Sequence, residues 1–139
     1  MSRSNKYTIT REIPEIYSDF LINFDKNPVT SNLAKITNED EIKSSIRNII
    51  ETRLGERFYN PLFGSKVANA LFELTSELTS TLLKSTCEQA IKNNESRATV
   101  KDVEVQLLED SNACSITIFF EAINKPGILQ NVVIVKRIR

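Results

Sequence analysis

The architecture turns on one stretch, KDVEVQLLEDSNACSITIFFEAINKPGILQNVVIVKRIR, residues 101–139. Within it Val103, Val105 and Leu107 alternate with Asp102, Glu104 and Gln106. Further on, Cys114, Ile116, Ile118, Phe120 and Ala122 alternate with Ser115, Thr117, Phe119 and Glu121. A period of two puts successive side chains on opposite faces of a pleated strand, so each run predicts a half-buried β-strand. Asp110-Ser111-Asn112 links these two in the manner of a hairpin, and Asn124-Lys125-Pro126-Gly127 turns into a third strand at about 129–138. The three form an antiparallel meander. In the third, Val132, Val133, Ile134 and Val135 are apolar on both faces, more than a sheet covered on one side requires. Two readings stay open: helices cover one face and something else the other, or another chain completes the strand's edge.

Before Arg97 the period is about 3.6. Ile42, Ile46, Ile49 and Ile50 form one apolar stripe on a helix that starts after Asn38 and runs to about Leu54. The sequence NEDE, residues 38–41, supplies a capping side chain, acids in the first turn where the helix dipole favours them, and Glu41 in the capping-box position. Gly55 is expected to stop this helix by taking the left-handed conformation just past its last turn. Val67, Ala70, Leu71 and Leu74 predict a short amphipathic helix. Leu78, Leu82, Leu83, Cys87, Ala90 and Ile91 predict a longer one from about Ser76 to Asn93, with Thr75 or Ser76 as its N-cap.

Between the first two helices, GERFYNPLFGS (residues 55–65) is a loop by its Gly55, Asn60, Pro61 and Gly64. It also carries Phe58, Tyr59, Leu62 and Phe63, and is therefore expected to pack onto something. Residues 1–38 are the least patterned and read as an extended arm with short strand-like pieces. Tyr17, Phe20, Leu21, Ile22 and Phe24 would anchor that arm, either on this chain's own core or on a partner. The fold class is α+β: about three helices packed on a three-stranded antiparallel meander over 39–139, preceded by the arm at 1–38.

Composition bounds the chemistry. The 139 residues, 40% hydrophobic and 26% charged, suffice for one domain with its own core. Eighteen basic residues balance eighteen acidic ones, so no global field steers the chain to nucleic acid or an anionic membrane, and near-neutrality favours association. Histidine is absent, which removes the commonest general base and the His-dependent nucleophile and zinc systems. Cys87 and Cys114 are too few for a structural zinc and read as buried, reduced thiols. There is no signal-peptide run and no stretch approaching about 18 apolar residues, so the expectation is a soluble chain that stays in the cytoplasm where it is made. The usual nucleotide-binding, hydrolase, metalloprotease and calcium-loop motifs are missing, and neither cofactor nor metal is expected.

ETRLGERFYNPLFG (51–64), followed by LFE (71–73), AIKNNESR (90–97) and VEV (103–105), in that order and spacing, resembles the baseplate wedge and sheath-initiator family of contractile-tailed phages. That family shares its domain with a type VI secretion baseplate component. The upstream NPVTSNLAKITNEDEIKSSIRNII (27–50) is similar to the family's lead-in, so the resemblance spans about 27–123. It implies a structural part of the virion's tail baseplate, put together in the host cytoplasm, that initiates tail-sheath polymerisation by β-strand augmentation. The implied partners are other baseplate wedge proteins and the tail sheath protein, with the tail tube or hub as a further contact, and neither nucleic acid nor membrane. One departure stands out: the family's Glu-Pro-Arg at the end of the long helix is Glu95-Ser96-Arg97 here, which keeps both charges and drops the proline that stiffens the backbone.

Several residues are candidates for function. Gly55-Glu56-Arg57 reads plainly as a helix stop followed by a solvated ion pair. Arg57 could instead stack on Phe58 or Tyr59 or fork onto a carboxylate, either as internal scaffolding or in contact with a wedge partner. Glu95 and Arg97 are either an exposed pair at a helix exit or, as the resemblance implies, a partly buried polar cluster that orients the first strand for docking sheath subunits. The KRIR end, Lys136 to Arg139, is a basic gatekeeper on an apolar strand or, with Val133, Val135 and Arg137, an edge offered to a partner's strand. Because the family has been labelled lysozyme-like, Glu51, Glu56, Glu73 and Glu95 are weighed as a glycosidase pair, which needs carboxylates about 5–9.5 Å apart. A stand-alone interaction regulator of the same fold, similar to anti-adaptor proteins, is the other alternative.

Overall fold

A computed structural model describes residues 14–72, 77–108 and 112–137. In chain order the elements are β1 (Ser18–Phe20), β2 (Lys35–Thr37), α1 (Glu39–Glu51), α2 (Val67–Phe72), α3 (Glu77–Asn94), β3 (Ala98–Leu108), β4 (Ala113–Ala122) and β5 (Leu129–Arg137). The last three make one antiparallel sheet in the order β3-β4-β5, with Val103 opposite Ile118 and Ile116 opposite Ile134. The fold is α+β, as the two periodicities predict. The hairpin link at 109–111, the capping residues before α3, Leu74, the side chain of Leu78, and residues 138–139 lie outside what is described.

Strand β4 keeps its alternation without a break: Cys114, Ile116, Ile118, Phe120 and Ala122 are buried, and the residues between them are half-buried. The buried face meets Ile42, Ile46, Ile49 and Ile50 of α1 and Leu83, Cys87, Ala90 and Ile91 of α3 in one core. Both cysteines lie in that core as free thiols. Burial pushes the Cys87 thiol up to about 12, and burial also raises that of Cys114. Two predicted core positions fall outside it. Leu82 and Leu107 are exposed. In β5, Val132 and Ile134 face the core while Leu129, Val133 and Val135 stand exposed on the opposite face. The helices therefore cover one face of the sheet, and the apolar groups of the other face are left open.

Helix α1 departs from its predicted ends. It stops at Glu51, short of Leu54, because Thr52 turns extended and its N–H and hydroxyl both bond the Asn48 carbonyl, at 3.0 and 2.6 Å. Gly55 has φ +83° but lies beyond the helix, inside the loop, where its N–H donates to the Pro61 carbonyl. The capping box does not form either. Asn38 makes no side-chain cap; its Oδ1 accepts the Ile16 N–H at 3.0 Å and its Nδ2 donates to the Pro14 carbonyl at 3.4 Å. Glu41 turns inward to an arginine instead. In both cases a long-range partner satisfies a polar group that the first turn could only have served locally.

The described part of the arm, residues 14–38, carries two short strands. Strands β1 and β2 pair antiparallel, with Asp19 opposite Ile36, and the Asn38 N–H donates to the Tyr17 carbonyl. Of the proposed anchors Tyr17 packs against the core, Leu21 is half-buried, and Phe20, Ile22 and Phe24 are exposed. The β4–β5 turn is tied to the start of α1 by a 2.7 Å ion pair between Lys125 and Glu39. No helix among the described residues is long and apolar enough to cross a membrane.

Candidate functional site

The exit of α3 builds a polar cluster. The Glu95 N–H closes the last helical turn on the Ile91 carbonyl at 2.7 Å, the chain bends at Ser96, and β3 begins at Ala98. Arg97 is left at the corner with its guanidinium turned inward. Its Nε and Nη2 donate to the two oxygens of Glu95, both at 2.7 Å; its Nη1 and Nη2 donate to the two oxygens of Glu41, at 2.7 and 3.0 Å. Both carboxylates are thus held bidentate by one planar fork, a geometry lysine cannot reproduce. The Tyr17 ring lies 4.9 Å from the guanidinium carbon, so arm, α1, α3 and β3 all meet at one side chain.

Burial sets the electrostatics of this corner. The Glu95 side chain is 4% exposed and that of Arg97 28%. Burial alone would raise the Glu95 carboxyl, but hydrogen bonds from Arg97 and the Ser45 hydroxyl outweigh it and hold the group below the usual carboxylate range. Bonding to Glu95 and Glu41 in turn raises the Arg97 pKa. Sequence reasoning named Glu95 and Arg97 and missed the role of Glu41. One signal was available: Glu41, Ser45 and Ile49 follow at spacings of four, which places an acid on the face that buries the isoleucines.

The aromatic loop is a second structure of interest. Its neck is closed where the Ser65 N–H donates to the Thr52 carbonyl at 2.9 Å and the buried Ser65 hydroxyl donates to the Ile50 carbonyl at 2.9 Å. Gly64, with φ +116°, sits so near this neck that a Cβ would lie 2.6 Å from the Thr52 carbonyl oxygen. Arg57 stacks over Phe63 at 3.9 Å from the ring centre, and not on Phe58 or Tyr59. Glu56 makes no pair with Arg57; its Oε2 accepts the Arg53 N–H at 2.9 Å. Only Phe63 packs against the core, while Phe58, Tyr59 and Leu62 are exposed. The loop therefore packs on this chain's own core through Phe63 alone among its four large apolar residues. Phe63 lies next to the neck and reaches the core, whereas the tip projects away from it.

The third structure is β5. Val133 and Val135 occupy its outer face and Arg137 its exposed end, while the Lys136 ammonium reaches the Glu51 carbonyl at 3.3 Å, one residue before the loop's neck. Three of the four carboxylates weighed as a glycosidase pair are described. Glu95 is locked on Arg97, Glu56 caps a backbone N–H in the loop, Glu51 ends α1, and Glu73 lies outside the described residues.

Comparison with known proteins follows the same outline. A family model described as baseplate wedge protein gp25 matches residues 37–126, from the residue before the N-cap of α1 into the β4–β5 turn. The baseplate wedge protein gp25 of Enterobacteria phage T4 is 32% identical over 91 residues, 66% of this chain and 69% of that protein. Among solved structures, a Geobacter sulfurreducens chain provisionally named a tail lysozyme superposes with a TM-score of 0.68 at 24% identity, over 75% of this chain and 95% of that one. A chain of the anti-feeding prophage baseplate gives 0.61 at 20% identity over 88% and 86%. One from the type VI secretion baseplate complex gives 0.57 at 15% identity over 71% and 92%. At these identities the three structures speak for the fold alone.

Proposed function

The chain belongs to the baseplate wedge protein gp25 family, and on that footing we propose that it is a structural wedge component of a contractile tail whose β5 edge templates the first sheath subunits by strand augmentation. The observation that carries this reading is the position of β5. Among the described residues it is paired with β4 on one side only, so the other side of the strand offers backbone N–H and C=O groups to an incoming strand. Val133 and Val135 on the outer face would add specificity, and Arg137 at the strand's end would orient the partner. Strand β3, the other edge, is less suited: a bulge at Lys101 breaks its register.

In this reading the Glu41–Arg97–Glu95 cluster is a positioning device. It fixes where β3 starts relative to α1 and the arm, and so sets the angle at which the sheet is presented. Other wedge proteins and the sheath protein are the partners, with the tube or hub as a further neighbour; assembly takes place in host cytoplasm and the product resides in the tail baseplate. The cluster also argues against glycoside hydrolysis. The acid of such a pair must hold a proton near neutral pH, and Glu95 is instead kept ionised by Arg97.

The test is a chain carrying Val133→Glu and Val135→Glu, both on the exposed face. It should melt near the parent and enter baseplates, yet those baseplates should seed no sheath. Sheath of normal length on such baseplates would refute the template, as would β5 amides that exchange equally fast with and without bound sheath.

A further inference from the structure

The tip of the 55–64 loop is unusual for a surface loop. Phe58 is 97% exposed, Leu62 81%, and Tyr59 fully. Single exposed apolar residues are ordinary, but three large ones on one short loop mark an interaction site. The loop is also held in one shape. Backbone bonds run from Gly55 to Pro61, Asn60 to Arg57 and Phe63 to Asn60, Glu56 ties the entrance, and Arg57 is stacked on Phe63. A loop so braced has already lost most of the conformational freedom that binding would otherwise remove. Its basic groups are the ones left free to pair: Arg53, Arg57 and Lys66 are exposed and make no ion pair with a carboxylate among the described residues, and they outnumber the nearby acids Glu51 and Glu56.

We infer that this tip is a preformed plug whose Phe58 and Tyr59 rings enter an apolar pocket, rimmed by acidic side chains, on another baseplate protein. Aromatic anchors in a desolvated pocket with complementary rim charge are the usual form of an energetic hot spot. A lipid surface fits less well. Three side chains give little insertion area, and the net charge of zero gives the chain little attraction to an anionic bilayer. This inference uses the family membership but not the sheath-template reading, because the plug and the β5 edge are different surfaces.

The experiment places the photo-cross-linker p-benzoylphenylalanine at position 59, and in a second chain at position 135, and irradiates assembled baseplates. The probe at 59 should join one other baseplate protein, at a pocket of apolar residues flanked by Asp or Glu. In parallel, a chain with Phe58→Ser and Tyr59→Ser should melt with the parent while its occupancy in baseplates falls at least about tenfold. The plug is overturned if the serine chain keeps normal occupancy. It is equally overturned if, in assembled baseplates, the probe at 59 reacts with lipid, with a second copy of this chain, or with nothing. Cross-linking from 135 to sheath together with failure at 59 would remove the plug and leave the sheath template standing.

Discussion

Arg97→Ala removes one cation and four hydrogen bonds from between two carboxylates. The Glu95 side chain, 4% exposed, cannot recover its lost partners from water. Breaking a buried pair by deleting one member costs about 3–5 kcal/mol. Because Arg97 is itself 28% exposed, solvent screens part of the interaction, and about 2–3 kcal/mol is expected here. With a urea slope of about 2 kcal/mol/M, the unfolding midpoint should drop by roughly 1–1.5 M at pH 7.

The pH dependence has a definite sign. In the parent, the folded pKa of Glu95 lies below its unfolded value, so its stabilisation is present above the unfolded pKa and is lost as pH falls through the folded one. In the variant, burial without the cation and beside Glu41 raises that carboxyl, so the folded state takes up the proton first and the group gains stability as pH falls. The gap between parent and variant should therefore be widest at pH 7 and narrow toward pH 4. Urea melts followed by circular dichroism at pH 7, 5 and 4 measure it. Arg97→Lys should fall between, since an ammonium cannot fork onto both acids. A loss under about 0.5 kcal/mol at pH 7, or an equal loss at pH 4, would refute the buried-cluster account.

Gly64→Ala should destabilise by about 2–4 kcal/mol, because it joins left-handed strain to a clash with the Thr52 carbonyl, whereas Gly55→Ala, with open space around it, should cost about 1 kcal/mol; thermal melts give the order. Asn38→Ala should cost about 1–2 kcal/mol and strip hydrogen-exchange protection from the Ile16 amide, as the bonds that fasten residues 14–16 are lost. Both thiols should resist an aromatic disulfide reagent at pH 8 in the native state and react at once in denaturant, and rapid native labelling of Cys87 would contradict its place in the core.

The sheet and the helical stripes were legible because burial imposes a period, and a period survives in one-dimensional sequence. Ile116, Ile118 and Phe120, or Ile42, Ile46 and Ile49, could face only one way. The polar details were not, because they depend on partners far along the chain. Asn38 and Glu41 look like a capping box from four residues of context, yet one fastens the arm and the other meets Arg97, 56 positions away. Gly55 and Gly64 are alike in sequence; only the closed neck shows that Gly64 is the one with no room for a side chain. At the candidate site Glu95 and Arg97 could be named from the sequence. Glu41 left only a faint trace, its place on the isoleucine face, and that trace is masked because an acid in a helix's first turn has a sufficient local explanation.

The strand that carries the open edge is also the strand that closes the core. During translation α1 emerges early with its four isoleucines, and α3 later covers part of that stripe, but the Val132 and Ile134 side chains that complete the pocket belong to the final described element. A chain without β5 would therefore lack both the last wall of the core and the exposed valines of its outer face. Interior packing and the presentation of the outer face thus stand or fall together: a change at Val132 or Ile134 that loosens the core also displaces Val133 and Val135 on the other side of the same strand.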